Sequence, residues 1–392
     1  MKTAVEPVEP LGQAIPDRAA IAAVILGVTA FAVAQGLTYP LISLTLERRG
    51  VSEAVIGINA SMFAAGLAAA GLTVGRLTTL ADGGRLILAA LIGCSLCLLT
   101  FALADALAVW FIARFVLGYC ASVIFVLSEA WLNAACPDRL RGRVSGIYGL
   151  GMGGGFAAGP MAIPLFGGEA GFSFAIAAVY LAAVAFASAV LTRRARTRPA
   201  ASSPGDLMRF ARAAPVLVAM VVAFGFADIA AIAVLPVYFV KSGHSADFAA
   251  VAVTVTALPA ALAQPVVGFL LDRLSRPLVA IGCAVVAAGS FLALPLLSSE
   301  TELLIATGLV GAASFALYTC ALTLLGERFR GAMLVAGSAV YALAYAAGSV
   351  AGSSLTATAM DSFGRAAAAL GAGAVLLVLA IFFAWRGARP SA

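Results

Sequence analysis

The sequence predicts an all-α polytopic membrane protein with 12 transmembrane helices in two pseudo-symmetric six-helix bundles, and three observations carry that prediction. First, 63% of the 392 residues are hydrophobic and only 11% are charged, with a mean hydropathy of +1.06. A soluble chain carries about a quarter charged residues to coat its surface. Second, apolar runs of about 20 residues, enough to cross a hydrocarbon core of about 30 Å as a helix, recur along the chain. Third, short patterns in the first half return in the second at a nearly constant offset, the mark of transporters built from internal repeats.

The apolar runs fall near 20–46, 54–75, 86–104, 107–134, 144–166, 172–191, 214–240, 247–270, 278–298, 302–325, 332–358 and 366–385. They define a tail over 1–19, a bundle over 20–191, a linker over 192–213, a second bundle over 214–385 and a tail over 386–392. The first tail contains Glu6, Glu9, Pro7, Pro10, Pro16 and Asp17. It lacks the basic start and directly following apolar core of a signal peptide and reads as a cytosolic segment. The linker, with Pro199, Ser202, Ser203, Pro204 and Gly205, reads as a flexible connector. Its arginines also suit anionic lipid headgroups.

An even number of spans puts both termini on one face. With that face cytosolic, 19 Lys and Arg lie on the cytosolic side, four lie on the other, and Arg114 lies inside a span. This bias matches the positive-inside rule, so the net charge of +6 serves topology and gives no reason to expect nucleic acid. The preference for Arg over Lys, with heavy Ala and Gly usage, points to a bacterial protein, hence a multi-pass protein of the inner membrane. Cys94 and Cys97 have C-x-x-C spacing but lie in an apolar run, where cysteines are small packing residues. No metal and no cofactor is expected.

Asp138-Arg139-Leu140-Arg141-Gly142 follows span 4, and Glu327-Arg328-Phe329-Arg330-Gly331 follows span 10, 189 residues later. Gly75 and Gly268, Gly50 and Gly243, and Gln35 and Asp228 pair at an offset of 193.

The stretch Gly268-Phe269-Leu270-Leu271-Asp272-Arg273-Leu274-Ser275-Arg276 resembles the G-x-L-x-D-R-x-x-R loop signature of the major facilitator superfamily. Arg114 and Gly118 are similar to the span-4 motif of its proton-coupled members. Gly146, Gly155, Gly159 and Pro160 resemble the span-5 motif of its drug and metabolite antiporters. The pattern departs in two places. Thr79 stands where the first-half loop signature has Asp, and Ile163 and Pro164 replace the trailing glycines of the span-5 motif. The resemblance implies a cavity lined by spans 1, 4, 7 and 10. It also implies a cytosolic latch between the halves, formed by Asp272, Arg273, Arg276, Glu129, Arg141, Arg143, Glu327 and Arg330. In it, Asp272 meets the N-terminal end of span 5, where carboxylates are favoured.

Asp228 lies about halfway along span 7. An ionisable side chain at that depth is costly unless it faces a wet path, which makes Asp228 a candidate proton carrier, or else a fixed partner for a polar neighbour. Gln35 is a candidate for holding solute or for joining helices. Arg114 is a second proton-coupling candidate, expected by resemblance to share the cavity with Asp228; snorkelling to the outer surface is its alternative. Tyr119 and Tyr318 are candidate cavity-wall residues.

No nucleophile–base pair, metalloprotease motif or Walker pattern occurs, so neither an enzyme nor an ATP-driven pump is expected. The expected function is secondary transport by alternating access, with proton-coupled efflux of a small amphipathic compound or metabolite first. Proton-coupled import of a sugar or organic acid is the alternative, and a non-transporting sensor or scaffold is the alternative of another class. The expected partners are a small-molecule substrate, protons and the lipid bilayer, the chain acting as a monomer.

Overall fold

Long apolar stretches leave the backbone no partner in lipid except itself, so each segment closes into a helix. The computed structural model describes residues 15–162 and 170–387, and all regular structure among them is helical. The first half holds α1 (Arg18–Arg48), α2 (Glu53–Leu80), α3 (Gly83–Leu103), α4 (Leu107–Ala135), α5 (Arg141–Ala158) and α6 (Ala170–Arg194). A 3-10 turn, Gly159–Ala162, extends α5. After the linker helix α7 (Pro204–Ala213), the second half begins with α8 (Pro215–Ile229) and α9 (Leu235–Lys241), joined by a π-helical turn at Ala230–Val234. It continues with α10 (Ala246–Leu262), α11 (Gln264–Arg273), α12 (Arg276–Ala293), α13 (Glu300–Arg328), α14 (Ala332–Phe363) and α15 (Ala366–Gly387). The α8–α9 and α10–α11 pairs each make one span. Residues 1–14 of the expected tail, Ile163 and Pro164 lie outside the described residues.

Eleven of these segments are long and apolar enough to cross a membrane. The fifth is not among them, because Arg141, Arg143 and its many glycines dilute its apolar content. It nevertheless occupies the twelfth place in the bundle, packed between α1 and α11.

The two halves pack alike. α2 lies on α4 as α10 lies on α13, α1 on α5 as α8 on α14, and α3 on α6 as α12 on α15. Glycine contacts fix the register. Gly36 abuts the backbone of Phe156 as Gly225 abuts that of Tyr345, and Gly159 abuts Val33 as Gly348 abuts Val222, each pair 189 residues apart. Gly118 abuts Phe63 as Gly311 abuts Thr256, at 193. Small residues at these positions let backbones touch, which is how helices associate in lipid.

This register corrects one expectation. Gly225, three residues before Asp228, keeps the offset of 189, whereas Gly50 and Gly243, both with positive φ, keep 193. Four extra residues therefore enter span 7 between Gly225 and Gly243, the stretch that contains the π turn. The counterpart of Asp228 is Tyr39, and that of Gln35 is Phe224; Gln35 and Asp228 are not a pair.

The linker is also more ordered than expected. Pro204 opens α7, and the Asp206 carboxylate accepts a hydrogen bond from the Ser203 N–H at 2.8 Å, holding the helix start. Phe210 is fully buried against Phe329 and Tyr341. Upstream, Asp17 Oδ2 accepts from the N–H groups of Arg196 and Thr197, both at 2.7 Å. Partial burial pushes the Asp17 carboxyl up, but the hydrogen bonds from Thr197, Ala20 and Arg196 outweigh it and hold the group below its ordinary value. A depressed acid stabilises its tether above the unfolded pKa of about 3.9 and loses that contribution as pH falls through the lower, folded value. Asp17→Ala should weaken the tether by about 1 kcal/mol at neutral pH and speed tryptic cleavage after Arg194 and Arg196 roughly fivefold. Unchanged cleavage would show that Asp17 does not hold the linker.

Candidate functional site at the seam between the halves

α5 carries two glycine faces, and they divide the seam from the bundle. Gly142, Gly146, Gly149 and Gly153 recur at helical spacing and face the second half. A Cβ at Gly142 or Gly146 would collide with the α11 backbone, and one at Gly149 or Gly153 would press on Gln264 or Phe315. Gly151, Gly155 and Gly159 face α1, where Thr29 and Val33 leave no room for a side chain. The span-5 motif is thus split, with Gly146 on the seam and Gly155 and Gly159 against α1. Pro160 follows in the 3-10 turn.

At the linker face the seam is closed by charge. Asp272, whose side chain is 2% exposed, receives the N–H groups of Gly142 (2.7 Å) and Arg143 (3.0 Å) at the start of α5. Helix N-termini present unpaired N–H groups and positive potential, so a buried carboxylate is satisfied there. Arg143 adds an ion pair at 3.5 Å and lies over the Phe269 ring, which Arg273 also covers. Arg276 grips Asp138 with both terminal nitrogens (3.1 and 3.2 Å) and Glu327 at 3.0 Å. Asp138 and Glu327 are repeat-equivalents, so one guanidinium joins the halves at matching positions. Burial pushes the Asp138 carboxyl up, but Arg276 and Arg141 outweigh it and hold the group below its ordinary value.

Two of the expected latch arginines act within their own halves. Arg141 bonds Asp138 and the Asn133 carbonyl at the end of α4, and Arg330 bonds the Gly326 carbonyl at the end of α13. Arg141 also packs against Gly326 of the other half, where a Cβ would not fit. Glu129 departs further from expectation. It lies six residues inside the end of α4, 2% exposed, and accepts a hydrogen bond from Tyr318 across the seam rather than joining the ionic cluster. The helix extends past it to Ala135, so the side chain points into the seam and not to the surface.

Deeper in the bundle, Tyr345 of α14 donates to Asp228 Oδ2 at 2.9 Å. Asp228 is half-buried and sits two residues before the π turn. Such turns break the regular carbonyl ladder and recur at functional sites. Phe224 packs against Phe315, Tyr318 and Tyr345, so an aromatic cluster connects the surroundings of Asp228 and Glu129. Arg114, 2% exposed, lies over Phe63 of α2. Arg114 and Asp228 thus have their described contacts in separate halves, not with each other. Gln35 borders a recess lined by Phe31, Ala34, Thr38, Leu98, Leu117 and Leu181, all of the first half, so it does not meet the second half there. Tyr119 bonds Thr73 at 2.8 Å within that half.

Sequence reasoning missed Asp138, Tyr148, Gln264 and Tyr345. The signal for Asp138 was present, since it is the repeat mate of Glu327. Removing the Asp272 charge with Asp272→Asn should weaken linker-face closure by about 1–2 kcal/mol, shifting the open population roughly 5–30-fold. Spin-label distances between Arg139→Cys and Leu274→Cys measure it, and an unchanged distribution would show that the α5 cap does not close the seam.

Comparison with known proteins agrees with this architecture. The Major Facilitator Superfamily profile matches residues 24–251 and again 216–392. The chain is 27% identical over 254 residues to the "Uncharacterized MFS-type transporter YfkF" of Bacillus subtilis (strain 168), a match spanning 62% of this chain and 63% of that protein. The E. coli fucose:proton symporter FucP superposes with a TM-score of 0.80 at 17% identity, covering 95% of this chain and 99% of that one. A FucP structure in the outward conformation gives 0.79 at 17% identity, over 94% and 99%. The human organic anion transporter TETRAN gives 0.72 at 16% identity, over 94% and 100%. At such identities the likeness is one of fold. With the family profile covering nearly the whole chain, the protein belongs to the Major Facilitator Superfamily and is a multi-pass membrane transporter, not an enzyme.

Proposed function

We propose that the protein exports a small amphipathic compound or metabolite by proton-coupled alternating access, with the linker face toward the bacterial cytosol. The observation that carries this reading is where the halves touch. The described side-chain bonds and glycine contacts between them run from the linker face to about Gly153, roughly 17 Å along α5. On the opposite face the ion pairs Arg49–Asp105 and Lys241–Asp361 each stay within one half. That is a carrier closed on one side, the arrangement alternating access requires.

Proton coupling is assigned to Asp228. Its described partner is a hydroxyl rather than a cation, so it can gain or lose a proton without breaking an ion pair. An amphipathic solute fits the surroundings, which are aromatic with hydroxyl tips at Tyr318 and Tyr345. Asp228→Asn should abolish proton-driven transport while leaving expression and membrane insertion intact. Deletion and overexpression strains, scored against a panel of toxic compounds, identify the solute and test the direction. Lower resistance on deletion and higher on overexpression is expected. Resistance unchanged in both strains, or wild-type transport in the Asn variant, contradicts the corresponding part of this reading.

A further inference from the structure

Glu129 is a carboxyl with no place in the ionic closure, and its surroundings assign it one of its own. It sits where α4, α5, α13 and α14 meet, so both halves wall it in. From α13, the Tyr318 hydroxyl donates to Oε1. From α5 and α14, Tyr148 and Ser338 turn buried hydroxyls toward it, close enough to interact with the carboxyl though outside regular hydrogen-bond geometry. Tyr341 of α14 adds a third buried ring, with its hydroxyl on the Ala321 carbonyl. On its own helix, Asn133 donates to the Glu129 backbone carbonyl. The groups facing Glu129 are therefore tyrosines and a serine. Arg141 is engaged by Asp138 and Asn133, Arg328 acts on Tyr341, and no ion pair reaches Glu129 among the described residues.

A carboxylate in this place would carry a full charge in a buried seam, faced only by hydroxyl dipoles. Uncompensated buried charge of that kind costs several kcal/mol. A protonated carboxyl costs far less, and its O–H finds acceptors in the neighbouring hydroxyls of Tyr148 and Ser338. The closed seam and the charged carboxyl are thus incompatible unless water enters, and water enters only when the halves part.

We propose that Glu129 holds a proton while the linker-side seam is closed, and that its release to water on that side as the halves part holds them open. In that step the carboxyl O–H bond breaks, its electron pair stays on the carboxylate, and the proton passes to linker-side water. Tyr318 joins this group to the aromatic cluster that also holds the Tyr345–Asp228 pair, so one cluster links the two carboxyls. The inference rests on the alternating-access reading but not on Asp228 being the coupling group.

The test needs no solute. Spin labels at Arg139→Cys and Leu274→Cys, in an otherwise cysteine-free full chain in lipid nanodiscs, report linker-side separation between about pH 5 and about pH 9. The wild-type background should shift toward the long distance as pH rises, by roughly tenfold or more in population. Glu129→Gln, which keeps the shape and cannot lose a proton, should stay closed across the range, and Glu129→Asp should restore a pH-dependent shift. A Gln variant that opens with pH as the wild type does, or a wild-type distance that never moves, overturns the proposal. Either result leaves the transport reading to the resistance panel, so the two can fail separately. Elution of the Gln variant as a single folded species ensures that a static distance reports closure rather than collapse.

Discussion

The structure depends on the close approach of one face of α5 to α11. Where two backbones touch in lipid, packing is close enough for a single carboxylate to reach the start of the opposing helix. Gly142 and Gly268 lie against each other, and that contact brings Asp272 to the unpaired N–H groups at the head of α5. Remove the glycines and the carboxylate falls short; remove the carboxylate and a buried helix end is left unsatisfied. The charges around Arg276 reinforce this arrangement and sit more exposed at its rim.

The second crossing of the seam, between α2 and α14, is built differently. By repeat, Thr79 occupies the place of Asp272, and its hydroxyl bonds back to Arg76 of its own helix rather than across to α14. Here the linker does the joining. Ser202 donates to Thr78, α7 packs on α2 and α14, and Phe210 fills the space beside Gly337. One closure is polar and carried by the repeat; the other is apolar and carried by a segment with no counterpart in it. The loss of the first-half signature and the order of the linker are two sides of one fact.

Much of the fold could be read from composition and span length, because lipid leaves so few alternatives for the backbone. The order of the linker could not be read, since its anchors are single side chains, Asp17 and Phe210, distant in sequence from what they hold. The Gln35–Asp228 pairing failed because four residues added between Gly225 and Gly243 lengthen the span without interrupting the apolar run that marked it. The family resemblance puts Glu129 in the ionic latch, but α4 continues six residues past it, and only the facing of the helix decides whether a side chain meets water or seam. Asp272 was legible because a motif and a simple electrostatic rule pointed to the same helix end.

For solute to pass by alternating access, the halves must part along the Asp138–Arg276 contact. Joining Asp138→Cys to Arg276→Cys with a short, reducible thiol cross-linker in otherwise cysteine-free protein prevents that parting. Transport of the compound found by the resistance panel should then be followed in vesicles. Cross-linking should stop transport and reduction should restore it. Transport that continues with the cross-link intact would contradict the account.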